Sequence, residues 1–232
     1  MSGSQEIRSQ IASIQNTQKI TKAMEMVAAS KMKKAQDQMI KARPYADKIS
    51  NVISHLAHAH PEYTSEFFAT RKVKKKGYII ISSDRGLCGG LNNNLFKLVV
   101  ETIEEGNKSD IKPAFSLIGS KATSFFQRMG GDVMAQTAQL GDKPQIEQVL
   151  GLIKSTIDSF ISGEIDQVYL VYNKFLNTVS QEPTLQKVLP IQAEDKDDNY
   201  DHYWDYLYEP DAETVLESLF TRYIESLVYR GL

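Results

Sequence analysis

The sequence has one cysteine, Cys88, one tryptophan, and no glycine between Gly3 and Gly77. A single cysteine excludes an internal disulfide framework and fits a reducing compartment. With four histidines and that one thiol, no metal-ligand spacing occurs; His55, His58 and His60 have neither a cysteine partner nor a HExxH pattern and read as surface histidines. No apolar run approaches the ~20 residues that a membrane-spanning helix needs. The start of the chain, "MSGSQEIRSQIASIQ", has neither an apolar signal core nor an Arg-rich, acid-free transit pattern.

Charge of one sign is absent overall but not locally. The net charge of −2 hides nine Lys/Arg against four Asp/Glu in residues 1–60, five bases in the six residues of "RKVKKK" (71–76), and nine acids against one base in 194–213. Such asymmetry predicts charged partners at separate places, attraction between segments of the chain, or simply solvated faces.

The glycine-free stretch carries a regular pattern. Along a 4,3,4,3 ladder from Ile7 to Leu56, twelve of fifteen positions are apolar; the exceptions, Gln18, Thr21 and Glu25, are consecutive. That 3.5-residue period is the seam of a left-handed coiled coil. Where the seam turns polar, apolar side chains move to a neighbouring stripe, Ile20, Met24 and Val27, and "KITKAMEMVAASKMKK" crowds five lysines round three methionines. Pro44 is the one breaker before Pro61 and is expected to bend the helix or loosen a turn. A helix of this length spans about 80 Å, so its seam needs a partner. The C-terminal segment, with Val215, Leu216, Leu219, Phe220, Tyr223, Leu227 and Val228 at helical spacing after Pro210 and Asp211, is the later candidate. It supplies about 22 residues, roughly 33 Å, which leaves more than half of the seam without an intrachain partner.

From Gly77 strands and helices alternate: "GYIII", a glycine-rich loop, a helix over 93–105, "AFSLIG", a helix over "SKATSFFQRM", "DVMAQ", a helix over 143–164, "QVYLVYNKFLN", and "TLQKVLPI" as a further, antiparallel strand. This predicts a mainly parallel sheet covered by helices, placed at 77–195. The loop "SDRGLCGGLNNN" tempts a phosphate-binding reading, but its G-x-x-G-G spacing matches neither a dinucleotide fingerprint nor a P-loop, and it holds no lysine. Arg85 stands three residues from Cys88, yet no His is near in sequence to make a Cys–His pair. No catalytic constellation is visible. The acidic stretch 193–211 interleaves Tyr200, Tyr203, Trp204, Tyr206 and Tyr208, too many large rings for a disordered linker; a docking surface and a seal between domain and helices both remain open.

The motifs "NTQKITKAMEMVAASKMKKAQ", "SSDRGLCGGLNNNLF", "IGSKATSFF" and "WDYLYEPD" stand in the order found in the gamma subunit of F-type ATP synthases, and from Ile7 to Gly231 the chain resembles that family in its bacterial form. The resemblance implies long N- and C-terminal helices paired as an antiparallel coiled coil, with a Rossmann-like α/β domain below. Segments follow accordingly: 1–60 axle helix, 61–76 basic linker, 77–195 α/β domain, 196–210 acidic aromatic connector, 211–232 start of the C-terminal helix. It implies a non-catalytic central-stalk rotor with no cofactor, peripheral to the cytoplasmic face of the bacterial inner membrane. Its partners would be the alpha and beta subunits, the epsilon subunit and the c-subunit ring. By family position Ile20, Lys22, Met24, Val27 and Lys31, with Arg85 and Cys88, would face the alpha/beta head, and Trp204, Tyr206 and Tyr208 the foot. Family chains continue through the rest of the C-terminal helix, so most of that helix is expected to be missing here. The rival readings are a basic coiled-coil adaptor for nucleic acid or an anionic membrane surface, and a small nucleotide-dependent enzyme.

Overall fold

The computed structural model describes residues 2–59, 65–192 and 212–232. Two compact units divide between Pro44 and Tyr45. In the first, residues 2–44 belong to α1 (Ser2–Ala59), which is helical at Pro44 as well.

The second unit, residues 45–232, holds a five-stranded sheet. Its elements are β1 (Lys75–Ile81), α2 (Leu91–Asn107), β2 (Lys112–Ile118), α3 (Ser120–Arg128), β3 (Asp132–Thr137), α4 (Glu147–Ile161), β4 (Gln167–Phe175), β5 (Gln181–Leu189) and α5 (Ala212–Gly231). A short 3-10 turn, Glu66–Phe68, precedes β1. Strand order is β3-β2-β1-β4-β5, with β5 alone antiparallel. The fold is mixed α/β with a mainly parallel sheet.

Alternation along the strands makes two cores. Ile79 and Ile81 of β1 point to one face, Tyr78 and Ile80 to the other. The second face is covered by α2 and α3 through Leu95, Phe96, Val99, Ile103, Ala122 and Phe126. The first is covered by α4, whose Val149, Leu152, Ile153, Ile157 and Phe160 recur at i, i+3, i+4 spacing. β5 starts three residues earlier than the pattern 184–191 suggests. Turn bonds between Asn177 and Ser180 close the hairpin and bring Gln181 opposite Phe175. Pro183, with no N–H to give, is tolerated there because β5 is an edge. α4 ends at Ile161, three residues before Glu164; the chain then turns at a left-handed Gly163 (φ 79), whose N–H donates to the Phe160 carbonyl at 3.1 Å, and the Ile165 N–H donates to the Ser159 carbonyl at 3.1 Å.

The apolar stripe of α5 lies in the same core as α4. Leu216, Phe220, Ile224 and Val228 are each at most 2% exposed, and Phe220 packs its ring 5.5 Å from Phe67 and 5.1 Å from Phe68. Ile49 of α1 belongs to this cluster too. Full burial of such side chains is worth about 1.5–3 kcal/mol each, so α5 is integral to the α/β unit.

Candidate functional site

The strand order changes direction at β1, and an open α/β sheet ordinarily receives ligands there, outside the carboxyl ends of β1 and β4. Here that crevice is occupied on one face. Gly231, at the end of α5, lies against Ile81 and Tyr172 so closely that a Cβ would come within 2.8 Å of Ile81 Cδ1.

The glycine-rich loop between β1 and α2 stands on the opposite side and is tied from within. Asn92, 7% exposed, accepts from the Ser83 N–H at 3.2 Å and donates to Ser83 Oγ at 2.8 Å and Cys88 Sγ at 3.4 Å. The Ser83 hydroxyl donates to the Arg85 carbonyl at 2.6 Å. With both ends held, the tip turns through left-handed backbone at Leu87 (φ 65) and Gly89 (φ 58). For a leucine this conformation costs roughly 1–2 kcal/mol, yet the Leu87 side chain is fully exposed and recovers nothing by burial within the chain.

Asp84, in the same loop, reaches across to α3. Its Oδ1 accepts from the Ser120 N–H and the Ser120 hydroxyl, both at 2.9 Å, so a carboxylate fills the N-terminus of α3 where an α/β fold could hold a phosphate. Partial burial pushes this carboxyl up. Hydrogen bonds from the backbone of Gln139, Ser120 and Leu140 and from the Ser120 hydroxyl outweigh it and hold Asp84 below its ordinary value.

Between the loop and α3 runs an open groove of about 660 Å³. Its α3 wall is the stripe Lys121, Phe125, Arg128 and Met129, spaced as one helical face. Phe125 and Met129 are 37% and 49% exposed. The Phe125 ring is fixed from below by stacking on Phe96, centroids 4.8 Å apart. Sequence reasoning did not single out this stripe; its signal was the i, i+4 pair Phe125/Met129 beside the buried Phe126.

The other expected contact residues separate by unit. Ile20, Met24 and Val27 are 61%, 62% and 56% exposed on α1, and Lys22 and Lys31 are exposed as well. Ile20, Met24, Val27 and Lys31 follow one stripe at i, i+4, i+7, i+11, while Lys22 lies about 200° round from Ile20. Ile7, Ile11, Ile14 and Met32 of the seam are also exposed, from 40% to 68%. Arg85 and Cys88 share the loop in the α/β unit, Arg85 exposed and Cys88 half-buried. Trp204, Tyr206 and Tyr208, the rest of the acidic stretch, His60, and the side chains of His55, His58, Ala42, Ala46, Ile53 and Leu56 lie outside the described residues.

The bases of "RKVKKK" are largely used inside the fold. Arg71 donates to the carbonyls of Phe160 (2.6 Å) and Ile161 (3.5 Å) at the C-terminus of α4, pairs with Glu66 at 2.8 Å, and lies over the Phe160 ring. Lys75 pairs with Asp132 at 2.7 Å, and Lys76 sits over the Tyr169 ring. Of the three readings open for this charge run, attraction between segments of the chain is the one that Arg71, Lys75 and Lys76 follow.

A three-layer α/β unit following a long helix with an exposed apolar seam defines the class of protein: an α/β-domain protein carrying an amphipathic helical extension. A family model described as ATP synthase matches residues 3–232. The ATP synthase gamma chain of Nitrosococcus oceani is 52% identical over all of this chain and 81% of its own length; that of Methylococcus capsulatus is 51% identical with the same coverage. The chain belongs to the ATP synthase gamma-chain family. In fold it is similar to a chain in the central stalk/c-ring structure of Tetrahymena thermophila mitochondrial ATP synthase, with a TM-score of 0.65 at 23% identity, over 91% of this chain and 90% of that one. Among the described residues no helix is long and apolar enough to cross a membrane.

Proposed function

We propose that this chain is a central-stalk rotor subunit of an F-type ATP synthase, itself non-catalytic, coupling proton flow through a membrane ring to ATP synthesis or hydrolysis in an alpha/beta head. The observation that carries the reading is full-chain identity above one half to proteins called ATP synthase gamma chain. The exposed seam of α1 supports it, because that surface has the period of a coiled coil and its side chains are open to a partner.

In this reading residues 1–60 form the axle, and the α/β unit, with α5 packed in its core, forms the foot beside the epsilon subunit and the c-subunit ring. Ile20, Lys22, Met24, Val27 and Lys31 meet the alpha/beta head, as do Arg85 and Cys88 from the loop; Trp204, Tyr206 and Tyr208 meet the foot's partners. Mixed lysine, methionine and alanine surfaces give contacts that do not lock to one neighbour, and charge orients the axle more than it tightens it. An asymmetric axle shifts its catalytic neighbours only by the difference in contact free energy it makes with each of their states. The complex sits peripherally on the cytoplasmic face of the bacterial inner membrane.

The test is co-expression with bacterial alpha and beta chains, then size-exclusion chromatography and ATP hydrolysis by the eluted complex. Co-elution with hydrolytic activity is expected. Elution of this chain alone, where a relative's gamma chain assembles under the same conditions, overturns the reading.

A further inference from the structure

We propose that residues 65–71 form a strap that seats α5 on the sheet, that Arg71 is its lock, and that α5 opens as one cooperative unit when the lock is lost. The strap begins with its own cap: Ser65 Oγ accepts from the Phe67 N–H at 3.3 Å, and the Ser65 carbonyl from the Phe68 N–H at 3.0 Å. The 3-10 turn so formed presents two adjacent rings to α5, Phe67 tilted 42° to Phe220 and Phe68 edge-on to it at 89°. Between those rings and the sheet, the Phe67 carbonyl accepts from the Ile191 N–H, just beyond β5, at 2.8 Å. One side of the strap is thus fastened to the end of β5, and the other, through Arg71, to the end of α4.

From 69 to 74, between the turn and β1, Arg71 is the one side chain that makes a hydrogen bond or ion pair among the described residues. Its planar fork does two things at once. Nη1 donates to the Phe160 carbonyl at 2.6 Å, and Nη2 donates at 2.8 Å to the carboxylate of Glu66, the residue before Phe67. One guanidinium therefore holds both the α4 terminus and the turn that carries the two rings, a bridge that fixed fork geometry makes possible. The same group lies 5.3 Å from the centroid of the Phe160 ring, which is buried in the cluster that contains Phe220. What the strap holds down is one continuous stripe, Leu216, Phe220, Ile224 and Val228, four residues apart on a single face of α5. A helix whose protection comes from one packed face opens as a unit, with its own free energy of opening. Arg71 is in this sense a positioning residue for α5. The inference concerns the chain by itself and does not rest on the rotor reading.

Amide hydrogen exchange of the full chain, followed by mass spectrometry, separates a lock on α5 from a general prop of the fold. Peptides are compared from α5 and from α2 and α3, which cover the opposite face of the sheet. In Arg71→Ala, α5 is expected to exchange at least about tenfold faster along its whole length, as the loss of a charge-assisted hydrogen bond implies. α2 and α3 are expected to stay within about twofold of wild type. Lys75→Ala, which breaks the pair with Asp132 and leaves the strap intact, is the control and should leave α5 unchanged. If Arg71→Ala fails to fold, Glu66→Gln takes its place; it keeps the bonds to the α4 carbonyls, drops the ion pair, and should speed exchange severalfold in α5 alone. Equal acceleration in all three helices makes Arg71 a general prop, and unchanged exchange in α5 makes it an idle surface pair. Either result overturns the proposal, as does faster α5 exchange in Lys75→Ala. Assembly with alpha and beta chains is measured by the earlier experiment, and its failure leaves these rates as they are.

Discussion

The carboxylate of Asp84, in the loop after β1, caps the N-terminus of α3 by accepting both the backbone N–H and the hydroxyl of Ser120 at 2.9 Å. Gly119, just before that helix, has no side chain to cap it, so the cap comes from 36 residues away. Replacing Asp84 by Ala should cost about 1 kcal/mol, the usual value of an N-cap, read as a lower denaturation midpoint. The sign with pH follows from the depressed folded value. Asp84's contribution is present above its ordinary value near 3.8 and is lost as pH falls through the lower folded value. The gap in stability between wild type and Asp84→Asn should therefore be full at pH 6 and close at strongly acidic pH.

Ser116 of β2 and Thr156 of α4 share a buried hydrogen bond, 2.7 Å between hydroxyl oxygens, and Thr156 donates onward to the Leu152 carbonyl. Thr156→Val strands the Ser116 hydroxyl and should cost about 1–3 kcal/mol. Ser116→Ala on the same background should restore part of that loss. Urea unfolding of the four members of the double-mutant cycle measures it.

Two glycines should respond in opposite directions to alanine. Gly119 has φ 96, and a Cβ there would collide with the Ser82 carbonyl oxygen, so Gly119→Ala should destabilise by more than about 2 kcal/mol. Gly151 lies within α4 with nothing within 4 Å of its missing Cβ. Gly151→Ala should raise stability by about 0.5–1 kcal/mol. Thermal melts of the two variants side by side make the comparison.

Phe220→Ala should be among the most damaging changes in α5, about 3–5 kcal/mol, because the ring is 1% exposed and held between Phe67 and Phe68. Leu87→Ser, by contrast, should leave the melting temperature unchanged or slightly higher, since no burial is lost. If Phe220→Ala is equally mild, α5 is not part of this core.

Strand alternation in "GYIII" and "AFSLIG", the 3.6-residue period of α4 and the glycine-free seam of α1 are local patterns. Period and breaker residues alone placed those elements to within a few residues, and four ordered motifs pointed to the family. Several matters depended on residues distant in sequence. The stripe Leu216–Val228 has helical spacing whether it serves a coiled coil or a sheet face; the three-dimensional contacts with Phe67 and the α4 core put it on the sheet. The basic run 71–76 looks like a free patch until the C-terminus of α4 and Tyr169 come beside it. Likewise nothing local in the sequence marks Asp84 as the cap of α3 or sets Gly231 against Ile81 and Tyr172. Hydrophobic period is a one-dimensional signal and fixes elements. Caps, clasps and grooves are made where separate elements meet, and only the tertiary packing brings them together.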